Sequence, residues 1–413
     1  MHSFDFSTIV DRTDSLSVKY APDAIRSICN NAQAMPFWVA DMDFSVPPSV
    51  SQALAGQVSH GVLGYPYFTN LRQNFCYWSA KRHAWDISLN RIAIGPGMLT
   101  SLALMVELFS SPDTTIIIPM PAYKPFVKMA QALKRPWTEW PLEYDEISHR
   151  FSFDLEKLES LLKANPSSLL LFCSPHNPTG HVSSDYELDT IASLAKKYNT
   201  MVLSDEIHAD LTYPSTVHIP FDVAARRQGC RAVTCMAPSK SFNISGEHYC
   251  GVVCTDAEDC KAFIDRMQTL FLGPSLLSSV TASAAYAEGY EWLMQLTEYL
   301  EHNALHIASF LRDNHTGLHA VVPSASFIGL IDCTEIFERV RKDASRFPRL
   351  YDPATSREGG LLSRFFGQRA GIALNDGSWF GSGYDHFVRF NFGTSRQKID
   401  QALENISKAI SML

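Results

Sequence analysis

Between about residue 90 and residue 255 the chain alternates short β-branched apolar runs with stretches of helical periodicity. That alternation is the signature of a parallel sheet covered by helices. The apolar runs read as strands at 91–94, 115–119, 168–173, 200–204, 231–236 and 250–254. Asp154 reads as a helix N-cap, followed by Leu155, Leu158, Leu161 and Leu162 on one face and stopped by Asn165-Pro166. A second helix is predicted over about 184–197, ahead of the next strand.

An open parallel sheet binds its ligands beyond the carboxyl ends of its strands. Three polar clusters follow such ends: S-P-H-N-P-T-G at 174–180, S-D-E-I-H-A-D-L at 204–211 and A-P-S-K-S-F-N at 237–243. Sheet geometry alone therefore gathers them. Lys240, at the end of the buried run R-A-V-T-C-M, is a candidate Schiff-base former. The three clusters together suggest an enzyme that uses pyridoxal phosphate (PLP). That cofactor needs a lysine for its aldehyde, an acid beside its pyridine nitrogen, a hydrogen bond to its 3'-oxygen, a ring-stacking group and a phosphate cradle.

Beyond the sheet, 289–314 reads as one long amphipathic helix with Trp292, Leu296, Tyr299, Leu300, Ile307, Phe310 and Leu311 as its apolar stripe. It leads into a smaller domain with strands near 318–322, 327–331 and 387–391 and helices near 360–371 and 398–412. The polar stretch 343–359, with two prolines, reads as an exposed loop. The expected division is an N-terminal segment (1–50) packing with the small domain, a large cofactor-binding domain (51–288) and a small C-terminal domain (289–413).

Several function classes fall away. Net charge is -8 with scattered basic residues, so neither a nucleic-acid footprint nor a polybasic membrane patch is visible. Nine cysteines form no C-x-x-C pair and are odd in number, which fits reduced thiols in a cytoplasmic protein rather than a disulfide framework or a metal site. Charges interrupt the apolar residues of the N-terminus, and no later run approaches the about 18 residues of a membrane span, so neither a signal peptide nor a span is predicted.

The stretches M-P-F-W-V-A-D-M-D-F (35–44) and D-R-T-D-S-L-S-V-K-Y (11–20), with the clusters above, resemble the MalY/PatB group of carbon-sulfur lyases in the fold-type I aminotransferase superfamily. The resemblance spans nearly the whole chain. It implies an α/β fold in which a mostly parallel seven-stranded sheet lies between helices, with a smaller α+β domain beside it. It implies that Lys240 carries PLP and then acts as general base on the substrate Cα, and that Asp205 pairs with the pyridine nitrogen. Asn177 would hydrogen-bond the 3'-oxygen, and Tyr123 would stack on the ring and face the substrate. His208 is either a second 3'-oxygen partner or a structurally satisfied histidine.

Gly97 and Met98, in G-P-G-M (95–98), would cradle the phosphate with backbone N–H groups, and Ser239 stands just before the lysine. Pro96 lacks an N–H. Tyr65 matches a tyrosine that relatives donate to the phosphate across a dimer interface, which implies a homodimer with shared active sites. Arg389 matches the arginine that grips the substrate α-carboxylate, with Arg396 as the competing candidate. Trp38, Val39 and Ala40 would line the substrate entrance, Ala40 through its backbone; Asp41 and Asp43 read as structural. Tyr65, Tyr67 and Phe68 form either an aromatic entrance or dimer packing.

The chain also departs from the superfamily pattern. Aminotransferases often carry S-x-S-K and an arginine eight residues after the lysine; here Ala237 replaces the first serine and His248 stands in the arginine's place. The lyase group commonly lacks that arginine, which favours a lyase. Glu247-His248 replaces the small or apolar residues usual there, either as an exposed polar pair or with His248 contacting phosphate or substrate and Glu247 holding its tautomer. The expected activity is β-elimination from cystathionine or another S-substituted L-cysteine. The rival readings are an aminotransferase, a specialised lyase acting on a large cysteine conjugate and, from another class, a PLP-sensing regulatory module.

Overall fold

The computed structural model describes residues 4–13 and 15–413, the side chain of Phe68 excepted. Its centre is a seven-stranded sheet of β1 (Ile92–Gly95), β2 (Ile116–Met120), β3 (Trp137–Pro141), β4 (Leu169–Cys173), β5 (Met201–Asp205), β6 (Ala232–Met236) and β7 (Cys250–Cys254). The spatial order is β1-β7-β6-β5-β4-β2-β3. Neighbours from β6 through β3 pair in parallel. Only β7 runs against its two neighbours.

The continuous apolar runs follow from burial on both faces, because successive strand residues point to opposite sides. Ile116, Ile118, Leu169 and Leu171 enter one core cluster, and Ile117, Leu170 and Phe172 enter the other. Each such side chain removed from water contributes roughly 1.5–3 kcal/mol. The strand β3, W-T-E-W-P, has no such run and was absent from the predicted strands. It is an edge strand with a partly exposed face, so only Trp140 is fully withdrawn from water.

Local signals act as expected at several helices. The Asp154 carboxylate accepts from Lys157 N–H at 2.8 Å and starts the helix Leu155–Ala164. Ser184 and Glu187 form a reciprocal cap on Asp185–Lys197. Four helices bear on the site or its surroundings: α1 (Met98–Phe109), α2 (Lys124–Ala132), α3 (Leu276–Glu288) and the long α4 (Tyr290–Asp313).

Past α4 lies an antiparallel sheet of β8 (His319–Ala320), β9 (Ile328–Asp332), β10 (Asn375–Asp376) and β11 (Phe387–Asn391), in the order β8-β9-β11-β10. The N-terminal segment joins this part of the molecule, since Met35–Pro36 pairs in parallel with Ile372–Ala373.

The stretch 343–359 is only in part the exposed loop its polarity suggested: 347–359 is a mostly exposed loop with a short helical turn, but its first residues are helical. A helix, Thr334–Arg346, takes its first residues, burying Ile336 and Val340 while its charges face outward. Tyr351, packed in the core, and Ser356 are buried and satisfied: Asp343 accepts from the Tyr351 hydroxyl and Arg364 donates to Ser356 Oγ at 2.6 Å. The helix expected near 360–371 runs over Leu361–Phe365 and then widens into a π-type turn over Phe366–Ala370.

Candidate active site

The carboxyl ends of β1, β2, β4, β5 and β6 open onto one cleft with a cavity volume of about 210 Å³. Its walls include Gly97, Met98, Tyr123, Asn177, Asp205, His208, Ser239, Lys240 and Ala40, so nine of the residues singled out from sequence meet at one place. Each arrives by a short route. Asp205 ends β5, Lys240 lies in the one-turn helix Pro238–Ser241 after β6, and Tyr123 caps α2 after β2. Gly97 precedes α1, whose first N–H groups have no intrahelical acceptors. Its φ of +107° is a conformation that only glycine adopts without strain.

Burial sets the charges. Lys240 Nζ donates to the Ala40 carbonyl at 2.5 Å and lies 3.4 Å from Ser245 Oγ. Desolvation lowers its pKa to about 8, with Asp41 acting in the opposite direction and Arg389 reinforcing the fall. A neutral amine is therefore within easy reach near neutral pH. Burial raises Asp205 to about 7, against the hydrogen bond it accepts from Ile207 N–H at 3.1 Å. That carboxyl has no cationic partner at hydrogen-bond distance among the described residues. His208 falls to about 3, first through desolvation and then through Lys240 and Arg389, so it is a neutral imidazole whose Nδ1 meets Ser326 Oγ at 3.0 Å.

The aminotransferase class I and II family model matches residues 33–406. The chain belongs to that family. Among its relatives, cystathionine beta-lyase PatB of Bacillus subtilis is 29% identical over 98% of this chain and 100% of its own. Protein MalY of Escherichia coli is 26% identical over 98% of this chain and 99% of its own. Cystalysin from Treponema denticola, whose crystal structure contains pyridoxal 5'-phosphate, superposes with a TM-score of 0.86 at 28% identity, covering 100% of each chain.

In this aminotransferase class I and II chain Glu247 and His248 also reach the cavity wall, whereas Arg389, Arg396, Trp38 and Tyr65 lie away from it. Arg389, on β11, is buried behind Asn177: its guanidinium donates to Asn177 Oδ1 at 3.3 Å, the Trp38 carbonyl at 2.9 Å and Asn375 Oδ1 at 2.8 Å. Its Nε has no acceptor, and desolvation lowers its pKa to about 10. Arg396 opens the last helix and donates through Nε to Asn303 Oδ1 at 3.1 Å, which removes it from the site. Trp38 does not line an entrance. Its ring packs with Ile25, Ile28 and Cys29, and its Nε1 donates to the Lys19 carbonyl at 3.1 Å.

Asp41 and Asp43 are ion-pair residues, holding Arg12, Lys19 and Lys398. Glu247 does not hold His248, because its carboxylate accepts from Ser278 Oγ at 2.8 Å on α3. Tyr65 and Tyr67 are exposed, and within one subunit Tyr65 does not reach the cleft; the Phe68 side chain lies outside the described residues. Thr100, Cys173 and Ser245 also line the cavity and were not singled out. The first-turn position of Thr100, next to G-P-G-M, was a readable signal for it.

Proposed function

We propose that this chain is a PLP-dependent carbon-sulfur β-lyase. It would cleave cystathionine or another S-substituted L-cysteine with water to give a thiol, pyruvate and ammonia. The observation that carries the reading is the convergence of Lys240, Asp205, Asn177 and Tyr123 on one cleft, in a chain similar along its whole length to relatives named as cystathionine beta-lyases. The residues fit the cofactor: Asp205 is a buried carboxyl lacking a cation, which a protonated ring nitrogen supplies, and the Gly97 turn would be filled by any Cβ against His248 at 3.4 Å.

When bound, PLP supplies an electron sink for the charge left as the substrate Cα loses its proton. Lys240 accepts that proton at Nζ, and burial keeps the amine free to do so. Asp205 would hold the ring nitrogen protonated, Asn177 would donate to the 3'-oxygen, and Tyr123 would pack on the ring. His208, neutral and fixed by Ser326, is placed as a second hydrogen-bond partner rather than as a charge. Gly97, Met98 and Ser239 would cradle the phosphate, and Ala40 would offer its carbonyl on the substrate side.

Arg389 would take the substrate carboxylate through its free Nε–H, with Asn375 and the Trp38 carbonyl fixing the plane of the guanidinium. Loss of the thiolate from Cβ then commits the reaction to elimination.

The unit we infer is a homodimer in which Tyr65 serves the partner's phosphate. Support comes from Leu63, Tyr65 and Tyr67, large apolar side chains left exposed in the segment whose Pro66 and Tyr67 line a groove against α3. All nine cysteines are free, which supports a reducing, cytoplasmic setting. Among the described residues no helix is long and apolar enough to cross a membrane.

The test is incubation of purified protein with cystathionine and a series of S-alkyl and S-aryl cysteines, following pyruvate and free thiol, with Lys240→Ala as the inactive control. Keto acid formed only with an added amino acceptor, and no thiol, would replace the lyase by an aminotransferase. Full turnover by Lys240→Ala would refute the site.

A further inference from the structure

We propose that His248 is the chargeable side chain of this subunit that binds the cofactor's phosphate, donating an imidazole N–H where the backbone cradle supplies no formal charge. The inference rests on the PLP reading above and adds to it a residue-specific ligand. Three side chains on the cavity wall are able to carry positive charge: Lys240, His208 and His248. Lys240 is committed to the cofactor's aldehyde. His208 is buried, is neutral, and is engaged by Ser326. His248 alone remains.

Its position suits the role. An added Cβ on Gly97 would lie 3.4 Å from His248 Cβ and 3.8 Å from its Cα, so the chain at 248 runs directly against the turn that starts α1. The first amides of α1, with Thr100 in its first turn, and the imidazole therefore border the same end of the cleft. His248 is exposed and has no hydrogen-bond partner among the described residues, so no existing bond has to break for it to take a ligand. The neighbouring carboxylate of Glu247, which would repel a phosphate, is engaged by the Ser278 hydroxyl at 2.8 Å. The second Lys240 contact, Ser245 Oγ, donates to the Ser239 carbonyl at 3.2 Å, and this bond ties the start of the 245–248 loop to the lysine turn.

A hydrogen bond to a charged group is worth about 1.5–3 kcal/mol, so losing it should weaken the complex by about tenfold or more. The experiment titrates apoenzyme prepared from the holoenzyme with PLP and, separately, with pyridoxal, which lacks the phosphate. The dissociation constants are read from absorbance and tryptophan fluorescence for wild type, His248→Ala and His248→Arg.

The expected result is an about tenfold loss of PLP affinity in His248→Ala with pyridoxal binding unchanged, and restoration of PLP affinity in His248→Arg. Unchanged PLP affinity in His248→Ala overturns the assignment, and so does an equal loss for PLP and pyridoxal, which would place the imidazole on the ring or in the fold. Wild-type protein that binds neither compound would refute the cofactor reading itself, a failure distinct from either of these.

Discussion

Replacing Asp205 by Asn separates the cost of burying this carboxyl from its use. The side chain is buried, and its pKa rises from 3.8 to about 7 because desolvation outweighs the Ile207 N–H bond. An acid whose folded value lies above its unfolded one destabilises the apoprotein. The penalty is absent below the unfolded value, grows as pH climbs toward the folded value, and is constant above it. At about 1.4 kcal/mol per pH unit, the full penalty is on the order of 4 kcal/mol, of which the smaller part is already present near pH 5.

Asn keeps an acceptor for Ile207 N–H and removes the ionisation. The stability gain of apo Asp205→Asn over wild type should therefore grow by about 2–3 kcal/mol between about pH 5 and pH 8. Urea unfolding at both pH values measures it, and other titrating groups cancel in the difference. PLP should reverse the ranking, because a protonated ring nitrogen pairs with Asp205 and not with Asn. Breaking a buried pair costs about 3–5 kcal/mol, so PLP affinity should fall by at least about a hundredfold. A stability difference that does not change with pH would refute the picture of an unpaired buried carboxyl awaiting the ring.

Two further outcomes follow from the charges around the cleft. Arg389→Lys removes the planar fork that serves Asn177, Asn375 and the Trp38 carbonyl together, so kcat/KM should fall by about a hundredfold, mainly through KM, while PLP absorbance is retained. Asp43→Ala leaves Lys19, Arg12 and Lys398 around an empty site and should cost about 3–5 kcal/mol in urea unfolding; an effect below about 1 kcal/mol would show that solvent already screens the cluster.

The parts of the fold legible in the sequence are those fixed by one strong local rule. Strands buried on both faces announce themselves as apolar runs, and the residues at their carboxyl ends are brought together by topology, which is why the convergence of Asp205, Asn177 and Lys240 on one cleft is legible. The edge strand β3 gave no run, because W-T-E-W-P buries only Trp140 fully.

What stayed hidden depends on partners distant along the chain. Nothing near Glu247 announces Ser278, 31 residues away, and Trp38 reads as an entrance residue until its packing on Ile25 and Ile28 is seen. Asp343, taken for loop, is held by Arg369 at 2.8 Å and by the Tyr351 hydroxyl, contacts that polarity alone cannot signal.

The segment 38–44 explains how a lysine in one part of the molecule and an arginine in another keep a common reference. Arg389 and Asn391, both on β11, donate to the carbonyls of Trp38, Val39 and Asp41. Asn243, three residues after Lys240, accepts from Met42 N–H and donates to the carbonyls of Met42 and Phe44. Ala40, whose carbonyl receives Lys240 Nζ, lies between Val39 and Asp41, the two residues that Asn391 holds.

The resting place of the lysine is thus set by a strap that the substrate-side strand and the lysine loop hold from opposite ends. Asp41, tied to Arg12 and Lys19, places a carboxylate that opposes the desolvation of Lys240. The N-terminal segment therefore acts on the site twice, once through geometry and once through charge. That double role gives a physical reason for the motif M-P-F-W-V-A-D-M-D-F to carry as much information about the site as the lysine cluster itself.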